Sequence, residues 1–408
     1  MAGGSSFGLA VLVVGVAGLL AVLSNRIGAW SRIPVPALFL GAAALARFFV
    51  PALGGIRTAD LEHIVTIALV LILFDGGMHI GWSRLRPVLG GVGLVGVVGT
   101  FLTAGAVALA AHGLFGFDWR TALLIGTALS PTDPAVVFSV LGAREISGPA
   151  GALLEAESGA NDPVGIALLL ALLAVHPGTP GFSVAGAFVS VLVTFAVQLL
   201  VGLAVGVAGG LALAALVRRF TLPSAALYPV RTLAAALAIY GLATVAHGSG
   251  FLAVLAAGVV MGDERLPFSE QTRPFHSALA ALAETVAFVL LGLSISLRSL
   301  PQDGALLIGL ALGALLAFVI RPLLVGPLLL LVPGLATGER IFIAWAGLKG
   351  AVPILLGILA TSDEIAGAAH LRVYDVIVVP VIFSVLVQGS TVPLVARWCR
   401  LPGGEAAE

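Results

Sequence analysis

Two short runs gather oxygen ligands in a sequence that otherwise has few. The first is Ser130-Pro131-Thr132-Asp133-Pro134. Two prolines three residues apart remove two backbone donors and break a helix. Asp133 ahead of Pro134 has the pattern of an N-cap followed by a first helical position. Freed carbonyls on one side of such a break and a carboxylate on the other can coordinate a cation. The second run is Glu155-Ala156-Glu157-Ser158-Gly159-Ala160-Asn161-Asp162-Pro163. At about 100° per residue, Ser158 and Asp162 share one helix face, and Glu157 and Asn161 stack on the adjoining one. Glu157 lies about 140° round from Asp162, so one carboxylate can meet the ion while the other meets a structural base. Carboxylate, hydroxyl and carbonyl oxygens suit hard cations rather than transition metals.

A counterpart to the first run lies far down the chain, in Gly347-Leu348-Lys349-Gly350-Ala351-Val352-Pro353. Lys349 is placed to sit where the negative ends of two half-helices meet. Arg321-Pro322 supplies the other base, and a guanidinium taken out of water needs a carboxylate nearby, for which Glu157 is the natural partner. The ionisable residues near the middle of apolar runs are Asp75, Asp133, Glu155, Glu157, Asp162, Glu284, Arg321 and Lys349. Each costs about 2.5–3.5 kcal/mol to bring into a bilayer centre. Two bases cannot neutralise six acids, so some of these acids are protonated, hydrated or bound to a cation. Asp75, near a helix end in Phe74-Asp75-Gly76-Gly77, is a candidate for a funnel that draws ions in. The histidines (His63, His79, His112, His176, His247, His276 and His370) fall at or near the ends of apolar runs and read as interfacial.

The elements that must hold these groups follow from composition. Hydrophobic residues make up 60% of the 408 and charged residues only 10%, against roughly 45–50% and about 25% in a soluble domain. Mean hydropathy is +1.15. So few charges cannot cover a soluble surface, and the fold class is an all-α polytopic membrane protein. The apolar runs reach helical rather than barrel-strand length. Spans are expected near 7–25, 33–50, 61–78, 87–112, 118–141, 150–175, 182–217, 226–246, 249–262, 277–295, 303–331, 339–360 and 373–398. The two interrupted spans are then the fifth and the twelfth, seven apart, so each sits fifth in a six-helix half. The halves have opposite orientation, and paired interruptions in inverted repeats mark a secondary-transporter site.

Orientation follows from the loop arginines. One set of loops holds Arg26, Arg32, Arg84, Arg86, Arg144, Arg218, Arg219, Arg231, Arg265, Arg273, Arg340, Arg397 and Arg400. The other holds Arg47, Arg57, Arg120, Arg298 and Arg372. The richer side is expected in the cytoplasm, with the N-terminus outside and the C-terminus inside a cell (inner or plasma) membrane. No cleavable signal peptide is expected, since the N-terminus lacks a basic region. Nor is a regulatory domain expected after the last span. Zero net charge gives no nucleic-acid-binding surface. The single cysteine, Cys399, excludes an intramolecular disulfide framework and a cysteine-based metal cluster. No organic cofactor is expected.

With these runs in place, the sequence resembles the NhaP-type antiporters of the cation–proton antiporter superfamily. The resemblance rests on Thr132-Asp133-Pro134, on Glu157 through Pro163, on Arg321-Pro322 and on Trp345 through Pro353, in that order and spacing, and covers essentially the whole chain. It implies thirteen helices with crossed discontinuous fifth and twelfth spans, a homodimer, and an elevator-like exchange of Na⁺ or K⁺ for H⁺. Carried over by motif, Asp162 binds ion and proton alternately. Asp133, the Thr132 carbonyl and Ser158 complete the coordination of the Na⁺ or K⁺, and Glu157–Arg321 is a structural pair. Asn161 stands where the superfamily's electrogenic branch has a second aspartate, which implies electroneutral exchange. Residues 1–80 and 226–298 are expected as a dimerising scaffold and 85–176 and 303–400 as the transport core. A linking helix over 182–225 and a short tail at 401–408 complete the division.

Other functions fit the residues less well. A sodium-coupled symporter of an organic anion shares a crossed-helix fold but needs a larger polar cavity, whereas the crossing offers few neutral polar side chains besides Thr132, Ser158 and Asn161. A channel lacks a filter-like repeat here. An enzyme lacks a nucleophile–base pair or a glycine-rich phosphate loop.

Overall fold

The computed structural model describes residues 35–141, 148–175, 183–264, 268–301, 304–361 and 368–401, with the single positions 8, 12, 15, 16, 19 and 146. Helices run throughout: α1 (Val35–Phe49), α2 (Thr58–Leu85), α3 (Leu89–Gly91, π-helical Val92–Val98 and Gly99–Phe115), α4 (Trp119–Ala128), α5 (Pro134–Leu141), α6 (Pro149–Leu173), α7 (Val184–Arg219), α8 (Leu227–Val245), α9 (Gly250–Gly262), α10 (Ser269–Ser294), α11 (Ala305–Leu315, π-helical Leu316–Ile320 and Arg321–Leu330), α12 (Thr337–Trp345), α13 (Ala351–Thr361) and α14 (Ala368–Phe383, π-helical Ser384–Gln388 and Gly389–Trp398). Each expected span from 33–50 onward falls on one of these helices or on an interrupted pair. Most of the first span, 7–25, lies outside the described residues. So do Arg26, Arg32, Arg144, Arg265, His176 and tail residues 402–408.

Long apolar stretches let several helices cross a bilayer, among them Ala185–Arg219, Ser269–Ser294 and Ala305–Leu330. The chain is a multi-pass membrane protein. Between such helices lipid offers no hydrophobic contrast, so association rests on close packing through small residues. One such close approach joins α2 to α9. A Cβ on Gly77 would lie 2.5 Å from the Leu255 carbonyl oxygen, and one on Gly258 2.5 Å from that of Phe74. Farther along, Gly202 and Gly206 of α7 lie against the backbone of Ser249 and Ala253. Of the α3 glycines, only Gly91 and Gly96 touch a neighbour tightly: a Cβ on Gly96 would lie 3.1 Å from the Glu157 carbonyl oxygen, while Gly90 and Gly93 face open space.

Helix α2 bends at Gly81, whose φ of +61° is a left-handed conformation that glycine adopts without strain. The helix restarts with its freed donor capped from outside. Asp263, just past α9, accepts from the Ser83 N–H and from the Ser83 hydroxyl, both at 2.7 Å. At the opposite end, Arg47 of α1 donates to the Leu293 carbonyl at 2.9 Å. Beside it, the Ser294 and Tyr374 hydroxyls are hydrogen-bonded and the Ser299 hydroxyl donates to Asp375 at 2.8 Å, which ties α10 and the loop after it to α14.

Candidate functional site

Both interruptions are present, and they cross. Residues 129–133 separate α4 from α5, and residues 346–350 separate α12 from α13. The Asp133 N–H donates to the Leu348 carbonyl at 2.8 Å, which bonds one interruption to the other. Non-helical backbone at this depth needs partners from the protein, since the bilayer core provides none. Thr132 finds them on α6: its N–H donates to Asn161 Oδ1 at 3.2 Å, and Asn161 Nδ2 donates back to the Thr132 hydroxyl at 2.7 Å. The Ser158 hydroxyl donates to the Thr132 carbonyl. Thr132, Ser158 and Asn161 are all buried.

Lys349 fills the end of α4. Its ammonium donates to the carbonyls of Ser130 at 3.1 Å and Pro131 at 2.8 Å, and its side chain is buried to 2% exposure. These carbonyls follow the negative C-terminal end of a half-helix, whose dipole favours a positive charge there. Arg321 is matched differently. Its Nη2 donates to Glu157 Oε1 at 2.8 Å and its Nε to the Ala344 carbonyl at 3.0 Å. Glu157 and Arg321 are 1% and 4% exposed, so the pair is sealed. It joins α6 to α11 and, through Ala344, to the helix that leads into the second interruption.

Asp162 lies one helical turn beyond Ser158. Its Oδ1 is buried and accepts no hydrogen bond, and both Asp133 and Lys349 are close enough to act on it electrostatically. Lone-pair oxygens thus converge from the Asp162 and Asp133 carboxylates, the Ser158 hydroxyl and the Thr132 carbonyl, with a fixed ammonium behind them. Such a set offers a cation oxygen ligands and offers a proton a carboxylate. Among the described residues no group of three His, Cys, Asp or Glu side chains is arranged to hold a metal ion.

Residues 8–398 match the family described as sodium/hydrogen exchanger, transmembrane. The chain belongs to that family. Among its relatives, the K(+)/H(+) antiporter NhaP of Alkalimonas amylolytica is 36% identical over 400 residues, 96% of this chain and 67% of that protein. The Na(+)/H(+) antiporter ApNhaP of Aphanothece halophytica is 27% identical over 406 residues, 97% of this chain and 75% of that one. The sodium proton antiporter MjNhaP1 from Methanocaldococcus jannaschii shares the fold with a TM-score of 0.79 at 20% identity, covering 96% of this chain and 98% of that one.

Other residues of this exchanger-family chain fall in places that sequence spacing did not give. Asp75 stands apart from the crossing, where it accepts from the Ser277 hydroxyl at 3.2 Å and faces His79 at 3.4 Å. Glu155, grouped by sequence with the inner acids, is part-exposed and faces Arg84 at 3.4 Å. His276 is buried within the protein, its ring bonded to the Thr232 hydroxyl at 2.7 Å. Asp375, Tyr374, Ser384 and Gln388 are buried polar residues that sequence reading passed over. Asp375 had a signal, an acid two residues inside the last expected span.

Proposed function

We propose that this protein is a secondary active antiporter that exchanges a monovalent cation, Na⁺ or K⁺, for H⁺. The observation that carries the proposal is the buried, unbonded Oδ1 of Asp162 beside two crossed helix interruptions. A carboxylate there holds either a cation or a proton, and the two exclude each other. The names of the relatives, a K(+)/H(+) antiporter and Na(+)/H(+) antiporters, support the same exchange. Asn161 is committed to Thr132 through both ends of its amide and carries no titratable proton, which supports one cation for one proton and electroneutral transport.

The reading extends to the machine around the site. Thirteen spans, the N-terminus outside and the C-terminus in the cytoplasm of a cell membrane complete the topology, and the protein works as a homodimer. Residues 1–80 and 226–298 form a static scaffold, and 85–176 with 303–400 move as one unit in an elevator-like step. The backbone-close seams of α2 with α9 and of α7 with α9 support a rigid scaffold in which the 182–225 helix is anchored. Proteoliposomes loaded with a pH dye and pulsed in turn with Na⁺, K⁺ and Li⁺ under clamped voltage test the function. Proton flux that follows the cation and ignores voltage is the expected result.

A further inference from the structure

The second interruption leaves Lys349 with a backbone N–H that no helix turn can satisfy. An unpartnered donor in the interior is costly. It is met from α14: the Lys349 N–H donates to the Ser384 hydroxyl at 3.0 Å, and that hydroxyl donates to Gln388 Oε1 at 2.7 Å. Ser384 and Gln388 are 2% and 4% exposed, and they open and close the π-helical turn Ser384–Gln388. Such turns inside α-helices recur at functional sites.

The first interruption is held in the same manner by the helix that follows it. Thr132 N–H goes to Asn161 of α6 as Lys349 N–H goes to Ser384 of α14. From Lys349 the connection continues, because its ammonium is bonded to the Ser130 and Pro131 carbonyls, next in sequence to Thr132 and Asp133. We infer that Ser384, oriented by Gln388, is a positioning residue that fixes the second interruption and, through Lys349, the cation-binding oxygens of the first. The Ser384 hydroxyl must accept from one side and give to the other, and the amide oxygen of Gln388 sets that direction.

The inference rests on the antiporter reading, and one set of proteoliposomes separates the two. Wild-type protein is pulsed with Na⁺ and with K⁺ over a series of pH values; absence of cation-dependent proton flux overturns the antiporter reading itself. Against that baseline, Ser384→Ala raises the apparent KM for the cation about fivefold, the size of one lost buried hydrogen bond, and displaces the pH midpoint of exchange. Ser384→Thr keeps the hydroxyl and restores both. Gln388→Leu moves the same readouts, and the double variant is no worse than Ser384→Ala alone, as members of one network behave. Independently of transport, amide hydrogen exchange across residues 346–350 speeds up in Ser384→Ala and not in Ser384→Thr. Wild-type KM and pH profile in Ser384→Ala, unchanged amide protection, or a Ser384→Thr protein as impaired as Ser384→Ala each overturns the inference. Should Ser384→Ala fail to fold, Gln388→Leu carries the test, with Gln388→Glu as the variant that retains an accepting oxygen.

Discussion

The Asp133 N–H and the Leu348 carbonyl oxygen are bonded at 2.8 Å, so the two broken helices of the inverted halves meet backbone to backbone, beside the bonds from the Lys349 side chain to the Ser130 and Pro131 carbonyls. Glycine is what lets them meet. A Cβ on Gly350 would fall on the Asp133 carboxylate, and one on Gly347 on the Arg321 guanidinium. Turning the carboxylate would not relieve Gly350, because the added Cβ would also fall on the Asp133 Cβ, and Arg321 is sealed against Glu157.

Gly350→Ala is therefore expected to stop cation-dependent proton flux, while Gly326→Ala, which meets nothing within 4 Å, leaves it unchanged. Overpacking of this kind costs about 1–3 kcal/mol, so the Gly350→Ala protein should remain folded in detergent with a lowered melting temperature. Full exchange in Gly350→Ala would show that the crossing is looser than its contacts imply.

The Glu157–Arg321 pair makes a prediction about stability. Removing one partner of a buried ion pair costs about 3–5 kcal/mol, because the other charge is left without compensation. Arg321→Ala and Glu157→Ala should each lower the melting temperature as well as transport. The double replacement Glu157→Gln with Arg321→Gln leaves no stranded charge and should be more stable than either single alanine variant. Additive losses in thermal unfolding would mean that the two side chains are not coupled.

Much of this site is legible in the sequence, and the reasons are local. Proline pairs around Thr132 announce a broken helix, and Glu157 with Arg321 can be matched because two opposite charges at membrane depth need each other. Lys349 is legible only in part: its place at the negative ends of the half-helices follows from the interruption, but its particular partners do not. Its partners are the carbonyls of Ser130 and Pro131, and carbonyls belong to every residue, so no residue type marks them. The π-helical turns at Val92–Val98, Leu316–Ile320 and Ser384–Gln388 leave no compositional trace either. Glu155 illustrates the opposite case: hydropathy places it inside a run, while its part-exposed carboxylate faces Arg84.

Relative motion of the two units can be tested at a single contact. Gly159 of α6 faces Leu255 of α9, with 3.3 Å from an ideal Cβ to the leucine side chain. In a Cys399→Ser background, a short thiol cross-linker between Gly159→Cys and Leu255→Cys should halt exchange, and cleaving the linker should restore it. The dimer band in detergent should be unaffected. Continued exchange with the linker closed would rule out sliding of the transport core past the scaffold at this seam.

The last prediction concerns competition at Asp162. A bound cation favours the charged form of a carboxylate, and a proton removes that charge, so the two ligands exclude each other on one side chain. On the proposed antiporter reading, an occupied site of either kind crosses, while the empty charged site is held back by the cost of an uncompensated charge in the bilayer; this would couple the fluxes. Protons in excess therefore act as competitive inhibitors of the cation. Well below the pH at which the site titrates, apparent cation affinity should fall about tenfold for each unit of pH, with the maximal rate at saturating cation little changed. Asp162→Asn is permanently neutral and should abolish cation-dependent proton flux. Asp133→Asn removes a ligand but leaves the carrier of the proton, so it should raise the apparent KM while some exchange persists. Flux assays across a pH series with each variant decide the matter: wild-type exchange in Asp162→Asn, or a cation affinity independent of pH, excludes a single shared carboxylate as the coupling device.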